Sequence, residues 1–255
     1  MNGLALVGHQ FRYDQKAFWR NPASVFFTVM FPVILFLILG ALLNGEKVDV
    51  RGGIDATTYC VPAIMALAII SATMQTLAMT LVIAREDGRL KRGRGTPMPP
   101  WVFIAGRVGN SIVVALMMLA LLAAIGGLLF GVEIPWDRLP AVLLALVVGA
   151  ASFCCLGIAL TALIPSQDAA APTVNGLLLP LYILSFIPEE DQIPGWVIAI
   201  AELFPVRHFF DAFLDAYVPA GGSAVSWDNL AVVALWGLAG LLLAVKFFRW
   251  APRSG

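Results

Sequence analysis

The stretch CVPAIMALAIISATMQTLAMTLVI, residues Cys60–Ile83, decides the fold: it runs for 24 residues without a charge. An α-helix needs about 20 predominantly apolar residues to cross the hydrocarbon of a bilayer. Immediately after it comes AREDGRLKRGRGTP, Ala84–Pro97, which holds Arg85, Arg89, Lys91, Arg92 and Arg94. A long apolar run that ends in a dense basic segment reads as a span leaving the membrane on its positive side.

Working outward, five further segments have the same character: Ser24–Leu43, Val108–Phe130, Ala141–Ile164, Ala169–Ile187 and Asn229–Phe248. The composition agrees, at 60% hydrophobic and 13% charged with a mean hydropathy of +0.88. Soluble domains carry roughly 25% charged residues. Within lipid every backbone N–H and C=O must be satisfied inside the segment, so the spans are expected as helices. The alternating pattern of a membrane barrel is absent. The expected fold is an all-α membrane protein, a single transmembrane domain over residues 1–255 with six spans.

Orientation follows from the basic residues. With the N-terminus inside, Arg12, Lys16, Arg20, Arg85, Arg89, Lys91, Arg92, Arg94, Arg107, Lys246, Arg249 and Arg253 fall inside, and Lys47, Arg51, Arg138 and Arg207 outside. Twelve against four places both termini in the cytoplasm and the protein in the inner membrane. Acidic residues, among them Glu133, Glu189, Glu190 and Asp191, gather in the outer segments.

Two segments depart from the plain spans. Over Gly3–Arg20, Leu4, Val7, Phe11 and Phe18 form an apolar stripe that Asp14 interrupts, opposite His9, Arg12, Tyr13, Lys16 and Arg20. This predicts an amphipathic helix in the inner headgroup layer, ended by Asn21-Pro22. Near the C-terminus, Ile193–Phe204 and Val206–Val218 flank Pro205, and each is too short to span. They predict a re-entrant hairpin over 193–218, its tip at Pro205 and outside the main bundle. A single kinked span would instead bury several charges at about 2.5–3.5 kcal/mol each.

Several function classes lack their chemistry. No Gly-x-x-x-x-Gly-Lys-Ser/Thr loop cradles phosphate, so ATP and Mg are expected on another chain and no cofactor on this one. No His-Glu-x-x-His or Ser/His/Asp set points to an enzyme. No ionisable residue lies near a span centre, against an ion-coupled secondary transporter. Cys60, Cys154 and Cys155 lack metal-ligand spacing and read as small hydrophobes. Nothing suggests nucleic acid as a partner.

Polar residues within spans mark a candidate substrate path: Thr73, Gln75 and Thr76 in the second and Asn175 in the fifth. Each serves equally well as glue between helices. The basic segment after the second span could hold anionic lipid or dock a cytoplasmic partner.

That segment resembles the Glu-Arg-Glu-x-Gly-x-Leu-Lys-Arg-x-Arg-x-Thr-Pro signature of ABC type-2 permeases, membrane subunits of daunorubicin-resistance-like exporters. The chain matches at Arg85, Glu86, Gly88, Leu90, Lys91, Arg92, Arg94, Thr96 and Pro97, and departs at Ala84 and Gly93. The resemblance extends to the amphipathic helix, the six spans, the Pro165–Asp168 turn, the outer hairpin and the closing Phe248–Arg253. It implies a coupling loop over 84–107 seated on a separate ATP-binding-cassette ATPase, with Glu86, Gly88, Leu90, Lys91, Arg92 and Thr96 transmitting motion. Lys16 and Arg20 of the amphipathic helix are the expected contacts of Glu86. It further implies a second permease copy or related permease, membrane lipid around the pair, and outward export of a drug-like or lipid-like amphipathic molecule. A polysaccharide or glycolipid cargo is the alternative within the family.

Overall fold

The computed structural model describes residues 3–48, 54–94, 100–186, 194–218 and 223–248. The chain is a helical bundle, and every expected span coincides with a helix. Helix α1 is Gly3–Trp19. Helix α2 covers 22–42 and contains a π turn at Phe26–Met30. Strands β1 (Lys47–Val48) and β2 (Ile54–Asp55) pair antiparallel before α3, Ala56–Glu86, which has its own π turn at Ser71–Gln75. Then follow α4 (Arg89–Arg94), α5 (Pro100–Phe130), α6 (Leu139–Leu160), α7 (Ala170–Phe186), α8 (Gly195–Leu203), α9 (Pro205–Tyr217) and α10 (Trp227–Phe247).

Four helices are long and apolar enough to cross a membrane: Ala56–Glu86, Trp101–Phe130, Trp136–Leu160 and Trp227–Phe247. The apolar parts of α2 and α7, Phe26–Leu42 and Ala170–Ser185, are shorter. Helix α3 is the central pillar. It packs against α2, α5, α6, α7 and α9, and Cys60–Met74 is buried throughout. Its 31 residues span about 46 Å, longer than the hydrocarbon, so its basic end projects beyond the apolar layer.

The π turns have local causes. Pro32 has no N–H to give the Thr28 carbonyl, and its ring crowds that turn; the Phe31 N–H reaches back to Phe26 O instead. In α3 both the N–H and the Oγ1 of Thr76 converge on Ser71 O, the latter at 3.0 Å. The two turns pack on each other, with Thr28 Oγ1 and Thr76 Oγ1 2.9 Å apart.

Helices α6 and α10 approach most closely because glycine removes the side chains between them. A Cβ on Gly240 would lie 2.9 Å from the Leu156 backbone nitrogen, and one on Gly237 would lie 2.5 Å from Ser152 Oγ. Gly240→Val is expected to destabilise the fold by about 1–3 kcal/mol, read as a lowered thermal midpoint in detergent. Gly8→Ala, at an open position of α1, should leave that midpoint unchanged. Gly131, at φ +65°, ends α5 in the left-handed region.

Two sequence expectations change. The stripe of α1 faces protein. Val7, Phe11, Asp14 and Phe18 form one face, and α1 packs along α5, where Gly106 and Gly109 admit Gln10 and Phe11. Asp14, which interrupts the stripe, is therefore buried. The second change concerns 193–218. The helix break falls at Phe204–Pro205 as expected, but α9 lies inside the bundle against α3, α6, α7 and α10. Its residues Val206, Phe209, Phe210, Phe213, Leu214 and Tyr217 recur at helical spacing and are all buried, as is Pro205. Phe209 stacks edge-on with Phe153 and Phe213, and Phe210 with Tyr59. Of the two helices of the hairpin, α8 is the one with a largely exposed surface.

Candidate functional site

The basic end of the bundle carries a short arm built on the end of α3. Gly88, at φ +68°, turns the chain through a conformation that costs other residues about 1–2 kcal/mol. Its N–H bonds the Arg85 carbonyl at 3.0 Å, which closes α3 and starts α4. Leu90 is buried and fixes α4 to the bundle, while Arg89, Lys91 and Arg92 are exposed around it. Arg89 pairs with Asp87 at 2.9 Å. Thr96 lies outside the described residues.

Arg85, which the charge count treated as one of twelve interior cations, is the largest fully buried side chain, at 1% exposure. Its Nη1 donates to Thr161 O at 2.9 Å and its Nη2 to Ile164 O at 2.7 Å. Those carbonyls lie in the turn that ends α6, where unpaired carbonyls and the helix dipole both favour a cation. Its Nε donates to Glu86 Oε1 at 2.7 Å. One guanidinium fork thus joins the arm to α6.

This corrects the partner expected for Glu86. Among the described residues its ion-pair partner is Arg85, whereas Lys16 on α1 and Arg20 just after it are exposed. The reason is the docking of α1 on α5, with Gln10 and Phe11 at Gly106 and Gly109 and Asp14 beside Arg107, which turns the basic face of α1 outward. Gln10 Nε2 donates to Asp14 Oδ2 at 3.1 Å. Burial pushes the Asp14 carboxyl above its ordinary range, and the charge of Arg107 on α5 partly offsets this. The Arg107 guanidinium also lies 4.5 Å from the Phe103 ring centroid.

A polar belt sits at the level of the π turns. Ser71 Oγ donates to Gln75 Oε1 at 3.1 Å, and Gln75 Nε2 donates to Asn175 Oδ1 at 2.8 Å, which ties α3 to α7. Gln75, Thr76 and Asn175 are half-buried. Thr73 is not part of this surface. It is fully buried and donates to Ile69 O at 2.6 Å, a bond within its own helix. Helical position alone did not reveal which face of α3 its neighbours cover.

The opposite end is braced by α9. Arg207 donates to Asp211 at 3.1 Å and to Ser185 O, near the end of α7, at 3.2 Å. The His208 ring lies 2.7 Å from both Glu202 O and Asn229 Oδ1, and so joins α8, α9 and α10.

A bundle of apolar helices with a basic arm at one end and a polar belt at mid-length defines a multi-pass membrane protein of the transport class. The chain belongs to the ABC-2 type transporter family, whose model matches residues 7–218. It is similar to the "Probable multidrug ABC transporter permease YbhR" of Escherichia coli K12, at 22% identity over 193 residues, 73% of this chain and 52% of that one. It is also similar to the "Putative transport permease YvfS" of Bacillus subtilis 168, at 21% identity over 239 residues, 92% of this chain and 94% of that one. The chain spans about half the length of YbhR. By that family it is a membrane protein of ABC-2 type transporters.

Proposed function

We propose that this permease exports a drug-like or lipid-like amphipathic molecule across the inner membrane, driven by ATP hydrolysed on the separate ATPase subunit. The carrying observation is the arm: Lys91 and Arg92 are exposed on a short helix, while Leu90 and Arg85 anchor that helix in the bundle. An exposed, stiffly held basic knob can take a push from a soluble subunit and pass it to α3 and α6. Glu86 holds Arg85 in place, and Gly88 sets the angle of the knob.

Both termini lie in the cytoplasm on this reading, with six spans and with α8 and α9 forming a hairpin entered from outside. The half-buried Gln75, Thr76 and Asn175 face a second permease copy and border the path between the two. The likeness to YbhR supports a drug-like cargo, and the apolar lining of the spans suits an amphiphile.

The reading is tested with the chain co-purified with its ATPase. Lys91→Glu combined with Arg92→Glu replaces two exposed cations without touching the core. The doubly reversed arm is expected to lose co-purification and ATP hydrolysis while the permease itself stays monodisperse. Retention of a fully active complex would remove the arm from the coupling role.

A further inference from the structure

A groove of about 410 Å³ opens on the flank of the bundle between α5, the connection before α6, and α6 itself. It lies at the end opposite Arg85. Ala120, Ala123 and Ala124 form one wall, and their small side chains create the hollow; Leu143 and Trp136 form the other, and Tyr217 of α9 contributes to the lining. Leu116 and Leu143 are 39% and 38% exposed, so the groove faces the surroundings of the bundle. An empty apolar hollow forfeits dispersion contacts, and in a bilayer the material at hand to fill it is an acyl chain.

Two polar features set this groove apart from ordinary lipid-facing surface. The Tyr217 side chain is 3% exposed, and its hydroxyl is buried with no hydrogen-bond partner. A buried hydroxyl without a partner is costly and calls for an acceptor. The second feature is Arg138, in the turn between the lining residues Trp136 and Leu139. Its Nη1 donates to Asp215 O at 3.3 Å, two residues before Tyr217, and among the described residues no carboxylate lies within 4 Å of it. A guanidinium has five donors, so most remain for another acceptor. Trp136, exposed at 71%, is the residue type that marks the membrane–water boundary, which puts Arg138 at headgroup level.

We propose that this groove binds a phospholipid, with an acyl chain along the alanine wall, its phosphate at Arg138 and an ester oxygen accepting from the Tyr217 hydroxyl. The acidic character of this end repels a free anion, so a phosphate gains from Arg138 only when its own chain holds it there. That argument selects a phospholipid over soluble phosphate. The apolar wall alone would accept any hydrophobic guest; the guanidinium and the spare hydroxyl select one with a phosphate and an ester.

The test uses the full chain reconstituted with phosphatidylglycerol that carries a photoreactive diazirine on its acyl chain. Adducts are expected to concentrate on Ala120, Ala123 and Leu143 over the exposed Leu242 and Val245 of α10. Arg138→Gln should lower the groove adducts about tenfold, the loss for one charge-assisted hydrogen bond, with α10 labelling unchanged. Tyr217→Phe should also lower them, without loss of thermal stability, because the hydroxyl it removes has no partner within the protein. Ala123→Trp, which fills the groove, should abolish them. Uniform labelling of the groove and α10 overturns the site. Loss with Ala123→Trp but not with Arg138→Gln or Tyr217→Phe overturns the phospholipid assignment and leaves an unselective apolar guest. Neither result bears on the arm, so the export reading stands or falls separately.

Discussion

Arg85→Met is expected to destabilise the permease by about 3–5 kcal/mol, the cost of removing one partner from a buried ion pair. The change takes the guanidinium away from the Glu86 carboxylate and from the Thr161 and Ile164 carbonyls. The expected observation is a sharp fall in expression and monodispersity, partly restored by adding Glu86→Gln, which removes the charge that Arg85 balanced. Arg85→Lys separates folding from coupling. Lysine keeps the charge but lacks the planar fork that reaches two carbonyls and a carboxylate together. It should yield a folded complex whose ATP hydrolysis no longer drives export. Full export by Arg85→Lys would make Arg85 a helix cap only.

Phe209→Ala is expected to cost about 3–5 kcal/mol, the range for truncating a buried aromatic. Phe209 is fully buried, sits between Phe153 and Phe213, and enters the space that Gly149 leaves open on α6. Gly149→Val should be damaging for the opposite reason, since its side chain would occupy the place of the Phe209 ring. Both effects are read as lower thermal midpoints in detergent. This reverses the expectation from sequence that the hairpin tip at Pro205 lies outside the main bundle. With α9 inside the bundle, folding fails first. A Phe209→Ala protein with an unchanged midpoint would return α9 to a peripheral position.

The sequence by itself determined that this chain is a helical membrane protein, where its helices lie, and which end is basic. Those properties depend on the length and charge of continuous segments, and each segment satisfies its own backbone without help from the rest. The break at Pro205 was equally legible, because a missing N–H acts on a single residue. Tertiary structure alone decided what the apolar faces touch. Lipid and protein interior are both apolar, so the periodicity of α9 or of Val7, Phe11 and Phe18 reads the same whether the face meets a bilayer or another helix. It also decided the fate of the polar groups. Thr73 satisfies itself on its own helix while Gln75 reaches Asn175, one hundred residues away. Arg85 finds its carbonyls more than seventy residues downstream, at the end of α6. A charge count registers that Arg85 lies at the basic end; only the packing of α6 beside α3 turns it from a surface cation into a buried tether.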